Sequence, residues 1–159
     1  MPLKIRPMHT GDKSALMRIL AVTPEFKPHE VTVAEEVIDV YLEDPVGSGY
    51  NVLVAVDGGK IAGYICYGPT PCTDGTWDMY WEAVAMAERG RGIGTALTEA
   101  AEANMIKAGG RMIMIETSAS PLYDNTRRFH QARGYETVAR VADFYAPGDD
   151  QLIMRKRLK

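Results

Sequence analysis

Cysteine is scarce in this chain: Cys66 and Cys72 are the only two in 159 residues. Two cysteines with no histidine pair nearby do not make a metal site, and no metal is expected. A reduced pair in the cytoplasm is the expectation, rather than a disulfide framework. Charge of one sign is also lacking. The net charge is −3, which disfavours a general nucleic-acid binder and leaves room for a cationic partner. No apolar run approaches the length of a membrane span, and Met1 to Pro7 has no signal-peptide core. Repeats, low-complexity tracts and linkers are absent. These gaps leave a soluble, cytoplasmic, globular protein. Its length suits one domain over 1–159, and 46% hydrophobic residues suffice for a core.

The most informative stretch is Arg89-Gly90-Arg91-Gly92-Ile93-Gly94-Thr95. Tyr80 to Val84 reads as a strand before it. Ile93, Ala96, Leu97, Ala100, Ala101 and Met105 keep helical spacing after it. Glycine permits close approach of backbone to a ligand, and a helix start offers free N–H groups and a positive dipole end. Together they predict a phosphate or pyrophosphate site, with Arg89 and Arg91 as added donors.

The rest of the chain reads as β α α β β β α β α β β. Leu3 to Arg6 is a strand, and Thr10 or Asp12 caps a helix carrying Ala15, Leu16, Ile19 and Leu20. Thr32-Val33-Ala34-Glu35 reads as a capping box that starts the second helix, with Val33, Val37, Val40 and Tyr41 on its apolar face. Asn51 to Val56 and Lys60 to Tyr67 form a hairpin around Asp57-Gly58-Gly59. Thr76 to Ala85 and Met112 to Thr117 are further strands, and Gly109-Gly110 ends the long helix between them. Ser120-Pro121 starts a helix that stops at Gly134. Glu136 to Tyr145 and Gln151 to Arg157 close the chain as a hairpin. The implied architecture is α/β: about seven strands in a mixed, mostly antiparallel sheet, flanked by about four helices.

This order, with Arg89-x-x-Gly92-x-Gly94 and with Phe129-His130-Gln131-Ala132-Arg133-Gly134-Tyr135 near the end, resembles the GNAT superfamily of acetyl-CoA-dependent N-acetyltransferases. The resemblance covers essentially the whole chain. It implies a sheet splayed between strands 4 and 5, with acetyl-CoA in the opening. Backbone around Val84 and Met86 would meet the pantetheine, and Arg89, Gly90, Arg91, Gly92, Ile93, Gly94 and Thr95 would hold the pyrophosphate. Tyr123 stands where many members place an asparagine that contacts CoA, and Phe129 belongs to the same CoA-side motif. His130 stands where the family usually has a tyrosine acting as general acid; an imidazolium could do the same work. The hairpin residues Phe144 and Tyr145, with Asp143, Asp149 and Asp150, and the loop Pro24 to Val31 with Phe26 and His29, would shape the acceptor site.

The implied reaction is direct transfer of acetyl to a primary amine of a small molecule or peptide. A lysine-type amine has a pKa of about 10.4, so freeing it at pH 7 costs roughly 4.6 kcal/mol, and a base is needed. Asp78 and Glu82 are the candidates. Four apart on one strand, they are expected to share a face with Tyr80 between them, leaving Trp77 and Trp81 on the other. A non-catalytic acyl-CoA-binding regulatory module is the alternative. A nucleotide-binding domain fits poorly, since the third spaced glycine and the P-loop lysine are missing. Many relatives pair as dimers, so the resemblance also implies a homodimer. The basic run Arg155 to Lys159 reads as the charged row of an edge strand.

Overall fold

The computed structural model describes residues 2–158. One seven-stranded sheet runs in the order β1-β2-β3-β4-β5-β7-β6. Its strands are β1 (Lys4–Pro7), β2 (Asn51–Asp57), β3 (Lys60–Pro69), β4 (Thr76–Val84), β5 (Met112–Ser118), β6 (Glu136–Ala146) and β7 (Asp149–Arg157). The helices are α1 (Lys13–Val22), α2 (Pro28–Glu43), α3 (Ile93–Lys107) and α4 (Asp124–Ala132). Every neighbouring pair is antiparallel except β4 and β5. The connection between those two is α3, as a parallel crossover demands.

Two cores sandwich the sheet. On one face, Leu97, Ala101 and Met105 of α3 pack on Ala55, Ile65, Ile113 and Met154. On the other, Leu16 and Leu20 of α1 and Ala34, Ile38 and Tyr41 of α2 cover Val52, Val54 and Tyr64. Leu97 is fully buried, and its truncation to alanine would cost on the order of 2–5 kcal/mol.

The start of α1 is fixed by a buried carboxylate. Asp12 accepts the His9 backbone N–H at 2.9 Å and takes both Arg6 guanidinium nitrogens at 2.8 and 2.9 Å. This ties β1 to the 3-10 turn at Thr10–Asp12 that leads into α1.

Three expectations fail at this level. Helix α2 starts at Pro28, not at Thr32. Proline at the first position has its φ already set, and Glu30 closes a box on the Lys27 N–H at 3.2 Å. Thr32 instead bonds back to the Pro28 carbonyl inside the helix. That shifts the apolar face to Ala34, Ile38 and Tyr41, while Val33 and Val40 are exposed. The basic strand β7 is internal, between β5 and β6; the edge strands are β1 and β6. Its Arg155 and Lys156 pair with Glu136 and Glu102, and Lys159 lies outside the described residues.

Candidate active site

The parallel pair β4–β5 holds only from Thr76 to Asp78 against Met112 to Met114. Beyond Asp78, the β5-facing edge of β4 has no partner strand among the described residues, so the sheet opens between its two halves. The glycine loop and the first turn of α3 follow β4 directly.

That loop presents open backbone at the start of α3. Gly90 and Gly92 both sit at φ +81°, a conformation that suits glycine. A methyl group on either would meet nothing within 4 Å, so both are open to an approaching ligand. No side chain caps α3 among the described residues, and its first-turn N–H groups remain available. Gly94 is the tight one: a Cβ there would stand 3.2 Å from the Phe129 ring and 3.4 Å from Glu82 Oε1.

The arginines behave differently from expectation. Arg89 grips Glu25, with its terminal nitrogens at 3.2 and 3.1 Å from the two carboxylate oxygens, and its Nε donates to the Val84 carbonyl at 3.4 Å. Arg91 pairs with Glu88 and Asp57. Both therefore brace the loop against carboxylates. Met86 lies in a short 3-10 turn with its side chain half-exposed. Ile93 is buried at the start of α3. The Thr95 hydroxyl accepts from Arg133, whose guanidinium stacks 3.8 Å from the Phe129 centroid. Tyr123 donates its hydroxyl to the Glu25 carbonyl at 2.7 Å.

The expected common face of Asp78 and Glu82 is overturned by a β-bulge. Cys66 pairs with Trp81 and Tyr67 with Met79, leaving Tyr80 as an extra residue on β4. One inserted residue inverts the alternation beyond it. Trp77 and Met79 thus pack on the α3 side, while Trp81 and Ala83 pack on the α1/α2 side, so the two tryptophans do not share a face either. Asp78 faces the α1/α2 side, where Thr70 donates to it at 2.6 Å. Glu82 faces α3 and accepts from Thr98 at 3.2 and 3.1 Å. Burial pushes the Glu82 carboxyl up to about 8.

His130 is buried between the rings of Phe129 and Tyr135, and its Nδ1 has no partner among the described residues. Burial, with Arg133 nearby, pulls it down to about 4. That shift favours the neutral ring near pH 7 and argues against the imidazolium acid expected at this position.

On the α1/α2 side of the opening, several groups converge. Burial and the charges of Asp78 and Glu116 push the Tyr80 hydroxyl up to about 12. Burial and the charges of Glu30, Glu25 and Asp149 do the same to Tyr123. Tyr145 is raised by burial and by Glu116, Asp149 and Glu30, with Gln151 as its hydrogen-bond partner. Gln151 in turn donates to Glu116 at 3.1 Å. Glu116 was missed in the sequence. The signal was available, since Met112, Met114 and Glu116 alternate with the buried Ile113 and Ile115.

Other expected acceptor residues scatter. Phe26 packs edge-on against Trp81 at 5.6 Å. His29 lies in the first turn of α2 and is exposed. Phe144 is exposed and edge-on to Tyr145 at 4.9 Å. The three aspartates beside them are engaged within the hairpin and its neighbours. Asp143 caps the Gly148 N–H, Asp150 holds Arg140 and the Asp143 N–H, and Asp149 accepts from Ser118.

The sheet splits beyond the parallel pair β4–β5, and the glycine loop lies where β4 meets α3. A model of the acetyltransferase (GNAT) family matches residues 15–135. A Desulfovibrio desulfuricans protein assigned to the same family is 36% identical, with a TM-score of 0.95, covering 99% of this chain and 100% of its own. The Escherichia coli ribosomal-protein-S18-alanine N-acetyltransferase shares the fold at 19% identity and a TM-score of 0.79, covering 99% of this chain and 95% of its own. An aminoglycoside 6'-N-acetyltransferase complexed with coenzyme A does so at 20% and 0.77, covering 98% of this chain and 97% of its own. A search of curated proteins finds no match. The chain belongs to the acetyltransferase (GNAT) family, whose acyl donor is acetyl-CoA. Among the described residues, no helix is long and apolar enough to cross a membrane.

Proposed function

We propose that the protein transfers acetyl from acetyl-CoA directly to a primary amine of a small molecule or peptide. The observation that carries this reading is the opening beyond Asp78, which has the open glycine loop at one end and, on one face, carboxylates without a cationic partner among the described residues. The pyrophosphate would rest on the backbone of residues 89–95, where the open sides of Gly90 and Gly92 fit it. The unpaired edge of β4 up to Val84 would take the pantetheine. Acetyl-CoA supplies the activated acyl group.

The acceptor approaches from the α1/α2 side. Glu116 and Asp78 attract its ammonium form, and Tyr80 and Tyr145 flank it. Asp78 is the base: it takes the proton from the amine nitrogen, directly or through one water. Thr70 holds the Asp78 carboxylate in place. Because His130 is neutral, it supplies no proton, and its ring serves to pack α4.

The test is thiol release from acetyl-CoA against polyamines, amino acids, aminoglycosides and short peptides. Release that requires one amine class supports the reading and names the acceptor. Calorimetric binding of acetyl-CoA with no release for any class favours the regulatory module instead.

A further inference from the structure

Glu82 is a carboxyl group on an otherwise apolar face. Its strand neighbours on that face are Met79 and Val84, and its partner across the ladder on β3 is Ile65. It accepts hydrogen bonds from Thr98 alone, and no cation pairs with it among the described residues. The 3.4 Å separation from a Cβ at Gly94 puts it directly under the first turn of α3. That turn carries the anion cradle.

The charged and titratable groups around it are few. From α3 comes Glu102, held by Lys156 and by the hydroxyl of Tyr135, a titratable neighbour of Glu82 in its own right. From the end of α4 comes Arg133, committed to Thr95 and to the Phe129 carbonyl and ring. His130 of α4 is uncharged near neutrality, and β3 contributes only Ile65.

We propose that Glu82 is a positioning residue of the acetyl-CoA site, whose carboxyl must carry a proton for the pyrophosphate to bind tightly on α3. Neutral, it leaves the positive end of the helix to the ligand. Ionised, it places a like charge beneath the cradle and competes for the same dipole. The inference rests on the pyrophosphate lying on residues 89–95. The proton balance is simple: a Glu82 carboxylate takes one proton from solvent as the ligand binds. With its titration near pH 8, the effect falls in an accessible range. Affinity should fall as pH rises through that value, by at most tenfold per unit.

Calorimetry of acetyl-CoA binding between pH 6.5 and 9, in buffer pairs of different ionisation enthalpy, reads both quantities. The wild type should weaken about five- to tenfold from pH 7 to pH 9 and take up roughly half a proton near pH 8. Glu82→Gln, neutral at every pH, should show a flatter profile and lose that uptake, with the ligand's own titration cancelling in the comparison. Thr98→Val removes the bond that favours the charged form and should move the midpoint upward. Equal proton uptake in wild type and Glu82→Gln, or an unmoved midpoint in Thr98→Val, overturns the proposal. Gly92→Ala tests the placement separately: unchanged affinity there would remove its foundation.

Discussion

Asp78 and Glu82 stand four residues apart on β4 and face opposite sides of the sheet, because Tyr80 bulges out of the ladder between them. The bulge splits two carboxyl groups into two environments. Asp78 lies among polar groups at the acceptor side, and Glu82 lies under α3. Mutations at the two should therefore fail in different ways. Asp78→Asn should lower kcat by about 10²–10³-fold with the acetyl-CoA Kd kept, as expected for loss of a general base. Steady-state kinetics with calorimetry on the same variant checks the split.

Glu82 also makes a stability prediction. Its folded pKa is raised, so the folded state holds a proton that the unfolded chain releases above its ordinary value of 4.5. Wild-type stability should therefore drop, relative to Glu82→Gln, as pH rises from about 4.5 to about 8, and then level off. Denaturant midpoints of the two proteins at pH 5 and pH 8.5 read it. A gap on the order of 1–3 kcal/mol at the higher pH is expected, with the variant the more stable.

Asp12 has the opposite sign. The Arg6 guanidinium and the His9 N–H hold its carboxyl below the ordinary 3.8, against the effect of burial. Its contribution is present above that value and is lost as pH falls through the lower folded value. Asp12→Asn should cost about 1–3 kcal/mol at pH 7, since it leaves Arg6 without its partner. The difference from wild type should shrink below pH 4 in denaturant titrations.

Glu25 bridges the two walls of the opening. Arg89 reaches it from the loop after β4, and Tyr123 reaches its carbonyl from the turn before α4. Arg89 is about two-fifths exposed, so solvent screens the ion pair and each single truncation should cost under about 1 kcal/mol. Faster hydrogen exchange over residues 23–28 is expected in Glu25→Gln and in Arg89→Gln, with the double variant no faster than either.

The element order and the open glycine loop were legible because both rest on short-range signals: strand alternation, helical spacing and clustered glycines. The start of α2 was misread because two capping boxes compete within five residues, and Pro28 settles the contest in favour of the earlier one. The Tyr80 bulge left no local mark. Trp77, Asp78, Met79, Tyr80, Trp81 and Glu82 alternate well enough in either frame, and only pairing with β3 fixes where the extra residue falls. The same cause hid the partition of the two carboxyl groups. Glu116 joined the candidate site only through Gln151 and Tyr145, which β7 and β6 bring from distant parts of the chain. The arginines were read as donors to the anion because Glu25 and Asp57 reach them only through tertiary packing, while the local Arg91–Glu88 pair was overlooked.

The most direct measurement is amine-dependent thiol release from acetyl-CoA by wild type and Asp78→Asn, with binding measured in parallel. The account predicts release by the wild type with at least one amine class, and its near loss in Asp78→Asn at unchanged acetyl-CoA affinity. Undiminished release in Asp78→Asn, or binding without release on every class of amine, would contradict it.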